Sequence, residues 1–275
     1  MTHWKKMLLQ RRSALMGLVL VGFVLTAALG AGWFARFTPD EMDVTNRLLA
    51  PSWEHLMGTD EFGRDLLARV LYGARNSLIV AFFIVVAAVG MGLVFGLMAG
   101  YYPRLDTVIM RIMDGLMAFP GIVLAIAMMG AMGPSMVNVI VALGIVYTPR
   151  VARVVRSFIL TVRESQYIEA ARSMGALDTR ILFYHILPNC FSPIVVQASF
   201  IFSYAILGEA ALSFLGVGVP ATLPSWGNIL SEGRVYMQIA PWLTVFPGLS
   251  IMITVLGLNM LGDGLRDFLD PRLKK

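Results

Sequence analysis

The sequence predicts an all-α integral membrane protein of six spanning helices with both termini in the cytoplasm. Three observations lead there. Apolar residues make up 57% of the 275-residue chain and charged residues only 14%, whereas about a quarter of an ordinary soluble domain is charged. Uncharged stretches recur that are long enough to cross a hydrocarbon core about 30 Å thick. Arginines and lysines fall in blocks between the long apolar runs, 14 of the 22 in three segments, and such placement is what sets membrane orientation.

The first span lies between Arg12 and Arg36 and the second between Arg75 and Arg104. The interval from Asp114 to Arg150 is too long for one helix, and Gly130, Gly133 and Pro134 interrupt it. It reads as a tight helical hairpin holding spans three and four. Span five starts near Phe191, passes Glu209 and ends near Leu215, and span six runs from about Leu243 to Gly262. Between these two, the glycines and prolines from Gly216 to Trp242 oppose a continuous helix and predict a loop lying on the membrane surface.

With six spans, three basic segments fall on one side, which the positive-inside rule makes cytoplasmic. They are the amino end with Lys5, Lys6, Arg11 and Arg12, the stretch from Arg150 to Arg180, and the tail with Arg266, Arg272, Lys274 and Lys275. The loop from Arg36 to Arg75 has mixed charge and faces outward. A cleaved signal peptide at the amino end would leave an odd number of spans and expel the basic stretch, so the first run is read as a retained span. The chain divides into residues 1–75, holding the tail, the first span and the outward loop, and a core of residues 76–275 with the other five spans.

The same composition excludes several functions. The net charge of +5 sits in short blocks between apolar runs, not in a nucleic-acid surface. Cys190 is the single cysteine, so no intrachain disulfide or multi-cysteine metal site can form. His3, His55 and His185 lack zinc-hydrolase spacing. Lysine occurs only at positions 5, 6, 274 and 275, so there is no phosphate-gripping GxxxxGK[ST] loop, and any ATP that drives the protein is hydrolysed by another chain. No residue is assigned as catalytic, and no metal site or cofactor is assigned to the chain. Asp60, Glu61 and Asp65 offer few donors for a hard cation and are better read as a loop scaffold. Met128, Met129 and Met132 read as packing, and Gly90, Gly92, Gly96 and Gly100 as a surface for close helix contact.

The stretch from Arg150 to Pro188 is built like two helices joined by a glycine. Ser165 is placed to cap the first, with Glu169 in its early turns where a carboxylate suits the helix dipole. Gly175 suits a left-handed closing position, Asp178 can cap the second helix, and Pro188 ends it before span five. The elements Glu169-Ala170-Ala171, Gly175, and Leu187-Pro188 at the end of the loop match in spacing the EAA loop of ABC importer permeases, and the chain resembles that family. His185 stands where the general pattern prefers an aliphatic residue, and His185 to Asn189 instead resemble the peptide and nickel branch. So do His55 to Asp60 with Gly63-Arg64-Asp65, Arg111 to Asp114 with Phe119-Pro120, Glu209 to Gly216, and Gly262 to Asp267 with Asp270-Pro271. The likeness covers nearly the whole chain and is nearest to the shorter permease of a heterodimeric pair.

The resemblance implies a type I ABC importer permease fold in a bacterial or archaeal cytoplasmic membrane. Its partners would be a second related permease, two ATP-binding subunits that hold the ATP and Mg, and an external solute-binding protein, with dipeptides or oligopeptides as cargo and nickel or a metal chelate as the alternative. The loop at about 164–188 would couple to the ATPase through Glu169, Ala170, Ala171, Gly175, Leu187 and Pro188. Glu209 would serve in translocation or gating, or simply as a structural bond, and Asp60, Arg64 and Asp65 in docking the binding protein. A secondary transporter would need buried ion-coupling groups where only Glu209 is evident, and a membrane enzyme would need a catalytic cluster that the chain lacks.

Overall fold

A computed structural model describes residues 12–269. Among the described residues the architecture is all-helical, without strands. The main helices are α1 (Arg12–Leu29), α2 (Leu66–Tyr101), α3 (Pro103–Met117), α4 (Gly121–Met132), α5 (Met136–Val162), α6 (Gln166–Ser173), α7 (Leu187–Phe214), α8 (Trp226–Gly233) and α9 (Trp242–Leu269). Four helices are long and apolar enough to cross a membrane, namely Leu66–Tyr101, Met136–Val162, Asp178–Phe214 and Trp242–Phe268. The pair α3 and α4, bent by 89°, makes a fifth if counted as one span, and Ser13–Leu29 is apolar but shorter. The basic residues expected at both ends of the chain, Lys5, Lys6 and Arg11 before α1 and Arg272, Lys274 and Lys275 after α9, lie outside the described residues, as does Asp270-Pro271.

Helix α2, about 54 Å long at 1.5 Å per residue, is the central post, and its most extensive contact is with α5. The reason is a stripe of small residues. A methyl group added at Gly92, Gly96 or Gly100 would lie within 3 Å of Val151, Val155 or Ile159 respectively, so the absent side chains let the two backbones close up. Gly90, grouped with them by spacing, faces open space and takes no part. The same device joins α1 to α9, where Gly17 abuts the backbone at Gly257 and Leu261. Met129 is buried and Met128 packs against the core, in keeping with their reading as filler, whereas Met132 is exposed and does not pack there.

Four expectations need correction. The helix expected from Asp114 breaks at Phe119-Pro120, because Pro120 lacks an N–H and disfavours helical backbone in the residue before it. The hairpin turn falls at Gly133-Pro134, with Gly133 at φ 81°, while Gly130 stays inside α4. Arg150, Arg153 and Arg156 do not begin a loop; α5 carries on to Val162. Pro188 does not end a helix either. A π-helical turn, Ile181–Ile186, leads straight into α7 and makes Asp178–Phe214 one continuous helix of 37 residues. The wider turn accommodates a residue that can neither donate to the ladder nor fit against the preceding carbonyl.

Candidate functional site

At one end of α2, the segment 163–180 forms a compact projection. Ser165 occupies the N-cap position, but its hydroxyl donates to the Val162 carbonyl (2.5 Å) instead of accepting from the helix. α6 is amphipathic. Ile168 and Ala171 are buried against the bundle, while Glu169 and Ala170 face outward. The Glu169 side chain makes no hydrogen bond or ion pair among the described residues, so its charge is free for an outside partner. The helix closes with Ala176 N–H donating to Ala171 O (3.0 Å) and Gly175 N–H to Arg172 O (2.9 Å), a Schellman pair that requires left-handed backbone at the residue after the cap. Gly175 supplies it with φ 80°.

Asp178 is the first residue of the next turn, one place past the cap, and accepts a hydrogen bond from the Tyr101 hydroxyl (2.5 Å). Arg163 donates to the Gly100 carbonyl (3.2 Å) and Arg172 lies over the Tyr101 ring, so the projection is tied to the end of α2. Its outer rim exposes Tyr167, Met174 and Leu177, three large apolar groups absent from the sequence-level candidates. Leu187 and Pro188 sit at the base of the long helix, half-buried and exposed respectively.

At the opposite end of α2, the loop 36–65 is held by charge. Asp60 accepts from Arg64 Nε and Arg69 Nη1, both at 2.6 Å, and from the backbone N–H groups of Phe62 and Arg64. Both guanidiniums also reach Glu232 on α8, Arg69 at 2.5 Å and Arg64 at 3.1 Å. Asp65 caps α2 by accepting from Ala68 N–H (2.8 Å), and His55 Nδ1 lies 2.9 Å from its other oxygen. Gly63 at φ 75° makes the turn possible, since a methyl group there would collide with the Asp43 carbonyl. Glu61 keeps one carboxylate oxygen buried without a partner, and burial pushes its pKa above the usual carboxylate range.

Asp60, Arg64 and Asp65 are therefore all buried and offer no side chain to a docking partner; they brace the loop 36–65. Asp60 and Glu232 converge on the two guanidiniums, whereas Asp65 is taken up by Ala68 N–H and His55. The segment from Gly216 to Trp242 departs from the surface loop expected. Trp226 is 1% exposed and donates from Nε1 to the Val70 carbonyl (3.1 Å), so α8 is sunk into the end of the bundle. Glu209 is likewise fully buried, accepting from Ser77 on α2 (2.9 Å) and Ser213 (2.8 Å). Ser77 in turn accepts from Trp226 N–H (3.3 Å). The carboxylate fastens α2, α7 and α8 together, and no solute reaches it in this conformation.

Comparison with known proteins places this geometry. Residues 92–275 match the family described as binding-protein-dependent transport system inner membrane component, and residues 3–51 match the N-terminal TM domain of oligopeptide transport permease C. The chain is 48% identical over 270 residues to a dipeptide transport system permease protein of Alkalihalophilus pseudofirmus, covering 98% of this chain and 89% of that one. It is 45% identical over 276 residues to a glutathione transport system permease protein of Pectobacterium atrosepticum, covering 98% and 90%. In fold it is similar to a chain of the methionine ABC transporter MetNI in an inward-facing conformation, with a TM-score of 0.62 at 19% identity over 74% of this chain and 96% of that one. The chain belongs to the binding-protein-dependent transport system inner membrane component family and is a non-catalytic, multi-pass permease subunit of an ABC transporter in the inner membrane.

Proposed function

We propose that this subunit forms half of the translocation path of an ATP-driven importer for dipeptides or short oligopeptides. It pairs with a second related permease, two ATP-binding subunits and an external binding protein. One observation carries the coupling part. α6 is fixed from within by Ile168 and Ala171 yet presents Glu169, Ala170 and the Met174 and Leu177 rim to solvent. A rigid helix with an unpaired charge and an apolar rim is a surface made to be covered. ATP can shift the permease between states only by its differential affinity for them, and this projection, tied to α2 through Asp178 and Arg163, transmits that bias to the bundle. The relatives' names support the peptide cargo. The division into 1–75 and 76–275, the six-span topology and the cytoplasmic termini belong to the same proposal.

Purification of the tagged chain in mild detergent tests it. A second permease and a P-loop ATPase are expected to come with the wild type, and Glu169→Lys should weaken the ATPase's retention while leaving the chain inserted. A correctly inserted chain that never brings an ATPase with it defeats the reading. Reporters fused after Lys275 and inserted at Met174 are both expected to read cytoplasmic, and an external signal from either overturns the topology.

A further inference from the structure

Helix α5 carries Arg150, Arg153 and Arg156 in succession. Two are matched by acids on α3, Arg153 with Asp114 at 2.6 Å and Arg156 with Asp106 at 2.5 Å. The Arg150 guanidinium makes no hydrogen bond or ion pair among the described residues. Its guanidinium carbon instead lies 4.6 Å from the centroid of the Tyr204 ring and 5.7 Å from that of Tyr147. The side chain is exposed and opens into a cavity of about 350 Å³ whose walls include Phe119, Ile122 and Leu143.

Position makes the absence of a partner informative. The 27 residues of α5, Met136–Val162, are about 40 Å long at 1.5 Å each, and a hydrocarbon core about 30 Å thick placed anywhere along that length takes in Arg150 near its middle. A guanidinium there is costly against lipid and belongs in a water-filled cavity or against protein. Nor does it reach for the membrane surface. Tyr147 lies one turn toward the Met136 end, so the side chain points away from the nearer end of α5 at Val162. The two ring faces hold the positive charge and leave all five N–H donors uncommitted. A planar fork held in place with its donors free is suited to bidentate capture of a carboxylate.

We infer that Arg150, seated against Tyr147 and Tyr204, is a carboxylate-binding subsite on the translocation path and takes the C-terminal carboxylate of a peptide in transit. The inference rests on the peptide-importer reading above. The apolar walls of the cavity receive the adjoining side chain, and the fork releases its ligand readily because water competes for the same donors.

The test uses the assembled importer with its binding protein and ATPases in proteoliposomes. Uptake of a tripeptide with a free carboxylate is compared with uptake of its C-terminal amide, each at a concentration that saturates the binding protein. In the wild type the carboxylate peptide should travel faster. Arg150→Gln, which removes an exposed group without a protein partner, should slow the carboxylate peptide about tenfold, the scale of a lost charge-assisted hydrogen bond, and bring the ratio of the two rates toward one. Arg150→Lys should restore part of the preference. A ratio that stays at its wild-type value overturns the subsite, whether both rates persist or both fall together as they would if Arg150 paired with an acid of the second permease. A wild-type importer that carries neither peptide overturns the peptide reading itself, and the subsite with it.

Discussion

Asp60→Ala is expected to cost about 3–5 kcal/mol of stability, because it takes from two buried guanidiniums the carboxylate that both hold at 2.6 Å and leaves them to share Glu232, with Glu61 4.0 Å from Arg64. Arg69 is 2% exposed and Arg64 is 8% exposed, so neither can be rehydrated without opening the loop. Glu232 alone cannot replace the two short bonds and two backbone bonds that Asp60 accepts. The loop 36–65 would detach from α8 and take the capped start of α2 with it. Thermal unfolding in detergent measures the effect. The control is Glu54→Ala, an exposed carboxylate of the same loop; surface substitutions of that kind usually change stability by about 0.5 kcal/mol or less. Equal, small shifts from both variants would mean that the buried network is not what holds this end of the molecule.

Gly175→Val is expected to abolish coupling while leaving the chain folded and inserted. Nothing lies within 4 Å of the added methyl position, so no clash arises and the whole penalty is conformational. An L-residue pays about 1–2 kcal/mol for left-handed backbone, and a β-branched one more. The loop can relieve that strain by abandoning the Schellman closure, which reorients α6 relative to Asp178 and its anchor on Tyr101. A projection misdirected at its base cannot pass the ATPase's movement to α2. In reconstituted importer, uptake should fall about tenfold or more, as a 1.4 kcal/mol bias requires, while ATP hydrolysis continues and the melting temperature changes little. Gly175→Asn, which tolerates the left-handed region, should keep most of the uptake. Wild-type uptake by the valine variant would sink the mechanical role of this glycine.

These two sites differ in how they can be found. Gly175 was legible because a Schellman closure is local. A helix of known start, a glycine after it and an apolar residue beyond are all within ten or so positions, and the backbone there depends on the glycine's own freedom. The Asp60 network was legible only as a cluster of charges. Its second half, Glu232, lies 163 residues beyond Arg69, and no local pattern announces that a proline- and glycine-rich segment will fold α8 against the start of α2. Glu209 repeats the point, since the serine that satisfies it on α2 is 132 residues away.

The misplaced helix ends have a common cause. Reading charge as the mark of water ends span four at Arg150 and starts span five only after Arg180. Inside a bundle an arginine can remain within a span when an acid on the neighbouring helix neutralises it, as Asp114 and Asp106 do for Arg153 and Arg156, or when it lines a cavity, as Arg150 does. Proline misled in the same way at Pro188, because a wider helical turn lets the chain pass through it. The signal that could have flagged Arg150 was present in the aromatic Tyr147 one helical turn away, though the second ring, Tyr204, belongs to another helix.

What the sequence by itself determined is what short-range chemistry dictates: a bilayer protein, apolar runs of spanning length, a break at Gly133-Pro134, a left-handed turn at Gly175, and no lysine with which to grip a nucleotide. Only the tertiary structure decided which charges are paired, which carboxylate is a fastening and which arginine is left open to a cavity. Hydrophobicity and backbone preference act on each residue where it stands, whereas the cost of a buried charge depends on groups brought to it from elsewhere in the chain.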